Sequence, residues 1–198
     1  MPMPLATTVS RPSRRDRGFT LMELLVVVAL LMVLMALVIP ASMKMSEGMQ
    51  LTAAARDVER ELQSAHLKAV AANRAMRVLF NCPSAGRYRT VEVTGIVAVD
   101  GSGERCDDHA FPYPSSKDTN PNTPDRDGPV RQVSSTIALA PENPHLGFQF
   151  APNGQTSQVV GGALQPIGAA GVVVTLLTAH SARRATVNVN GLGRIHIE

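Results

Sequence analysis

Hydrophobic and polar positions divide this chain into three regimes. Residues 24–39 are unbroken apolar side chains, and just before them a single acid, Glu23, interrupts Phe19, Leu21 and Met22. As a helix, residues 19–39 rise about 31 Å, roughly one hydrocarbon core. Beyond residue 50 the apolar positions recur at steps of three and four. Leu51, Ala54, Ala55, Val58, Leu62, Ala65, Ala69, Ala72 and Met76 make a stripe, while Arg56, Asp57, Arg60, Glu61 and Lys68 fall mostly elsewhere. That spacing predicts an amphipathic continuation of the same helix over 41–75. Pro40 lacks an N–H and crowds the preceding turn, so a kink or local melting is expected there. His66, on the stripe, reads as a solvated or half-buried side chain rather than a ligand.

From Met76 the period changes to two. Residues 77–80, 88–99, 133–139, 146–150, 172–178, 185–189 and 194–197 read as short strands, and Pro152-Asn153-Gly154, Gly161-Gly162 and Asn190-Gly191-Leu192-Gly193 read as turns between them. A helix followed by many antiparallel strands predicts an α+β fold, with the sheet packed on the helix's second half.

Charge sharpens the division. Arg11, Arg14, Arg15 and Arg17 against Asp16 give residues 1–18 a charge of +3, equal to that of the whole chain, so the remainder holds fifteen basic and fifteen acidic side chains. The cationic flank predicts a cytoplasmic N-terminus and an exported C-terminal bulk. It also removes the basic isoelectric point as a reason to expect general polyanion binding. An ionised carboxylate at mid-bilayer costs on the order of 2.5 to 3.5 kcal/mol, so Glu23 reads as functional, and no partner lies within its own apolar span.

Gly18-Phe19-Thr20-Leu21-Met22-Glu23, after a short basic leader and before an apolar helix with Pro40 near its end, resembles the signal of type IV prepilins and pseudopilins. The resemblance implies a leader of residues 1–18 removed by prepilin peptidase after Gly18, and N-methylation of the new terminus at Phe19. It implies a transmembrane and assembly helix over 19–40 kinked at Pro40, with Glu23 pairing a neighbouring subunit's terminal amine. Phe148-Gln149-Phe150-Ala151-Pro152-Asn153-Gly154 and the terminal Gly193-Arg194 hairpin are similar to motifs of the GspH/FimT branch. They imply that residues 76–198 are a periplasmic β-rich domain. A single-pass inner-membrane subunit of a periplasm-spanning filament is therefore expected. Its partners would be other pilins or pseudopilins, an inner-membrane assembly platform and lipid. An ordinary secretory signal or a plain anchor explains the N-terminus less fully.

On that location the two cysteines fit a disulfide between Cys82 and Cys106, worth about 3 kcal/mol on a chain-entropy estimate; free thiols or a metal remain the other readings. Residues 107–129 hold five of the fourteen prolines among Ser, Asn, Thr and Asp. They read as a long exposed loop, disordered or a contact element with Phe111 and Tyr113 as its contact points. No nucleophile elbow, phosphate loop or metal-ligand spacing is present, and the five histidines are scattered singly. The chain reads as a non-enzyme with no metal or cofactor.

Three roles stay open: a minor pseudopilin of a type II secretion pseudopilus, a FimT-like minor type IV pilin that takes up DNA, or a membrane-anchored binding module without a filament. The DNA-binding relatives carry Gly-Arg-x-Arg where this chain has Gly193-Arg194-Ile195-His196. A mostly neutral His196 adds little to phosphate contacts. Arg183 and Arg184 could extend a patch, though a solvated turn is the favoured reading of both.

Overall fold

The computed structural model describes residues 19–94, 104–114, 126–141, 147–160, 163–179 and 182–198. The chain divides into two compact units, Met1–Ser42 and Met43–Glu198. One helix, α1 (Leu21–Ala72), runs through both. The helical backbone is continuous at Pro40, so the local melting expected there does not occur. A proline deletes one N–H and displaces the carbonyl four residues back, while the turns on either side keep their bonds. Ser42 Oγ donates to the Ile39 carbonyl at 2.8 Å beside it.

The helix stops at Ala72, three residues short of the expected boundary, for a local reason. Asn73 takes φ 51°, and the Asn73 and Arg74 amides donate back to the carbonyls of Val70 and Ala69 at 3.3 and 3.1 Å. This is the Schellman ending, with asparagine in the left-handed position.

In the second unit every strand pairing is antiparallel. β1 (Met76–Phe80), β2 (Arg87–Glu92), β3 (Arg131–Gln132), β5 (Gly147–Phe150), β6 (Thr156–Val160) and β7 (Ala163–Pro166) form one sheet, in the order β3-β2-β1-β5-β6-β7. β4 (Ile137–Pro141), β8 (Val172–Thr178), β9 (Arg184–Val189) and β10 (Ile195–Ile197) form a second, in the order β10-β9-β8-β4. The predicted α+β class is the observed one, with two sheets where one was expected. The core joins the helix stripe, from Leu51 through Val58 and Leu62 to Ala69, to Val78, Phe80, Phe148 and Phe150 of the first sheet. Val174, Leu176, Val187 and Val189 of the second sheet complete it. Alanines at 54, 55, 65 and 69 let the helix backbone approach closely, and all four are buried.

Three strand readings change. The stretch 133–139 is interrupted: Val133 follows β3, the Ile137 amide donates to the Ser134 carbonyl at 2.8 Å, and β4 begins only there, in the other sheet. The strand expected over 88–99 is β2, ending at Glu92, and positions 95–99 lie outside the described residues. β6 and β7 were not expected.

Candidate functional site

The N-terminal unit begins with a helix cap. The Thr20 hydroxyl oxygen accepts from the Glu23 amide at 3.2 Å, and the Thr20 carbonyl accepts from the Leu24 amide at 3.2 Å. Thr20 is thus the N-cap and Glu23 the third helical residue, the Thr-x-x-Glu arrangement of a capping box. A carboxylate there also faces the positive end of the helix dipole, worth roughly 0.3–1 kcal/mol. Glu23 therefore has a favourable place in its own helix without a counter-charge; among the described residues no ion pair is formed to it.

Among the described side chains, the rest of residues 21–39 is uncovered apolar surface. Phe19 is 83% exposed, and Leu24, Leu30, Val33 and Ile39 are all exposed. Among the described residues no helix is long and apolar enough to cross a membrane. Gly18, the expected cleavage position, lies outside the described residues.

At the other end of the chain, the expected basic patch is spread out. His196 lies opposite Asn188 across the β9–β10 pair. Alternation puts Arg194, His196 and Glu198 on the outer face, with Ile195 buried beneath. His196 Nε2 sits 3.1 Å from Glu198 Oε1, so a carboxylate occupies that face. Arg184 opens β9 at the far end of the hairpin, about 20 Å from Arg194 by the rise per residue. Arg183 turns to the helix: a Cβ added at Gly48 would meet its Nη1 at 2.7 Å. The four residues do not form one cluster.

Residues 13–39 match a sequence family described as the prokaryotic N-terminal methylation motif. The N-terminal segment is of the prepilin type. The matched stretch ends at Ile39, so it takes in the Thr20 cap, Glu23 and the exposed apolar tract. No curated protein matches this chain in sequence. Its structure is similar to that of the minor pseudopilin EpsH from the type 2 secretion system of Vibrio cholerae, with a TM-score of 0.44 and 10% identity, over 75% of this chain and 96% of that chain.

Sequence reasoning missed a buried polar clamp in the second unit. Arg89 on β2 is 1% exposed. Its guanidinium donates to the carbonyls of Arg105, Gly128 and Phe111 at 2.7, 2.8 and 2.9 Å. Arg105 and Asp127 pair at 2.9 Å, both buried. Asp127 Oδ1 accepts from the Glu92 amide at 2.7 Å, and Arg105 also donates to the Glu92 carbonyl. Burial lowers the Arg89 pKa from its ordinary value, and burial raises that of the Asp127 carboxyl.

The 3-10 turn Glu104–Cys106 is fastened to β1's end by the Cys82–Cys106 disulfide, with Cα atoms 5.0 Å apart. So 104–114 and 126–130, the described flanks of the Pro-rich stretch, lie against the sheet. Positions 115–125 are outside the described residues. Phe111 is half-buried there and Tyr113 is exposed. An arginine in a strand reads as a solvated side chain. β2 is buried at every position after Arg87, a cover on both faces that its sequence, with Arg89, Thr90 and Glu92 among Tyr88 and Val91, does not announce.

Proposed function

We propose that this chain is a minor pseudopilin: a non-enzymatic subunit of a type II secretion pseudopilus, anchored in the inner membrane before it enters the filament. One observation carries the reading. A prepilin-type methylation motif heads a helix whose apolar side chains the chain itself leaves uncovered. That surface requires lipid before assembly and neighbouring helices after it. In this reading Gly18 is the cleavage position, Phe19 the methylated terminus, Glu23 the acid that meets a neighbour's ammonium and Pro40 the bend in the helix. Prepilin peptidase, the assembly platform and the other subunits are the partners. DNA uptake by a pilin-like relative is the weaker reading here, because Arg184 and Arg194 sit at opposite ends of their hairpin and Glu198 shares their face.

Cleavage tests the proposal at its first step. The peptidase must approach the backbone closely at residue 18, where a side chain would obstruct it. Co-expressed with its peptidase, the wild-type chain should be recovered starting at Phe19 with one added methyl group by intact-mass analysis, and Gly18→Glu should keep its leader. Trimming of the mutant at Phe19 would rule out the prepilin mechanism.

A further inference from the structure

A trough follows one flank of α1 through the second unit, independent of the N-terminal segment. Four hollows of about 170, 520, 380 and 460 Å³ succeed one another along it. They share lining residues: Asp57 joins the first two, Arg60 and Ser64 the next, Lys68 and Ala71 the last. Its helical wall runs over 50–72, about 33 Å at the α-helical rise. The opposite wall is Tyr88 with 131–134, then 126–128 and Tyr113.

The chemistry of this trough has a direction. Leu67 is 70% exposed and Tyr113 54%, so apolar surface lies open along it. Arg126 and Arg131 face solvent with buried acids behind them, whereas Arg60 is paired to the exposed Asp57 at 3.0 Å. Arg131 Nε meets Glu61 Oε2 at 2.7 Å, and the carboxylate is 7% exposed. Glu61 also accepts from the Thr90 hydroxyl at 2.6 Å, which spends its other oxygen inward. Arg126 Nη1 stands 3.6 Å from the buried Glu92, beyond ordinary hydrogen-bond reach. Lys68 forms no ion pair among the described residues. A guanidinium has five donors, and single contacts of this kind use only a part of that capacity at Arg126 and Arg131, which both line these hollows.

We propose that this trough docks an acidic segment of another protein, whose carboxylates meet Lys68, Arg126 and Arg131 and whose apolar side chains rest on Leu67, Ala71 and Tyr113. A long, narrow hollow lined by cations and exposed apolar residues complements a polypeptide with both kinds of side chain. A nucleic-acid strand fits it less well. Successive bases need stacking platforms, and Tyr113 is the one exposed aromatic on these walls among the described residues, with Tyr88 buried.

Fluorescence anisotropy on the full chain in zwitterionic detergent micelles tests this. The probe is a labelled synthetic peptide of about 22 residues repeating Glu-Glu-Ala-Leu, which as a helix matches the trough's length; empty micelles set the baseline. Binding above that baseline should weaken as sodium chloride is raised. Lys68→Glu should weaken it about tenfold and Arg126→Gln a few-fold, both with the wild-type melting temperature. Arg184→Glu, on the outer hairpin face, should leave it unchanged. The proposal is overturned by peptide binding no stronger than to empty micelles, or by equal binding to wild type and Lys68→Glu. It is also overturned by a thymidylate oligomer that binds more tightly than the peptide and is lost with the same substitution.

Discussion

Single residues in this molecule act through where burial leaves their charges. Arg89 satisfies three carbonyls from two loop flanks and one turn, and nothing smaller reproduces its fork. Arg89→Met should lower stability by about 3 kcal/mol or more, because three buried acceptors lose their donor, and urea unfolding monitored by circular dichroism would measure it. Arg89→Lys should recover little of the loss, since one ammonium cannot reach three diverging carbonyls. Tyr88 gives a pH signature. Burial, aided by the Glu61 carboxylate, pushes its pKa up to about 12 from 10.0. The raised value means that the unfolded chain gives up this proton first. The contribution is intact below pH 10 and disappears as pH rises through about 12, a loss of up to about 2.7 kcal/mol by linkage. Tyr88→Phe should flatten the fall in stability across that window in denaturant titrations.

Among the elements, the β9–β10 turn is held from outside itself. Gly193 takes φ 76°, and a Cβ there would meet His66 Cε1 at 2.4 Å. Gly193→Ala should cost at least about 2 kcal/mol from the left-handed backbone and the displaced ring together. Adding His66→Ala should recover the steric part alone, a split that equilibrium unfolding of the double mutant would expose. This architecture was unevenly legible. The helix stripe was plain because Leu51 to Ala69 repeat at helical steps and all bury. β1, β5, β8 and β9 were plain because branched or aromatic side chains alternate toward a core. β6 and β7 were not: Gln158 and Gln165 bond each other on an open face, and β7 is exposed along its whole length, so no burial pattern marks it. The division into two sheets was hidden because alternation tells which face a residue takes and not which strand it pairs with. Glu23 stood out as a charge against an apolar tract, whereas the Arg89 clamp looked like surface until the covering loops were placed.

At the scale of the whole molecule, the two units meet different demands. The second buries its own core and staples its loop flanks with a disulfide and the Arg105–Asp127 pair. The first leaves its apolar side chains to be covered by something else. Under the proposed function, Glu23→Ala should insert and be cleaved normally, because it removes an insertion cost of about 2.5 kcal/mol or more. It should then co-purify poorly with its partner subunits. Loss of the dipole contribution, under about 1 kcal/mol, is too small to account for that defect, and Glu23→Gln should share it. Equal recovery of wild type and both mutants with those partners would leave Glu23 with its capping role alone. The stack of His66 on Phe150, with ring centroids 5.4 Å apart and planes 23° from parallel, joins the helix to the first sheet and equips the protein with a built-in probe. Ring currents in the phenyl group shield protons held over its face. The His66 ring protons should therefore resonate upfield of those of the other four histidines in NMR spectra of the folded chain, and return to ordinary positions whenever helix and sheet part.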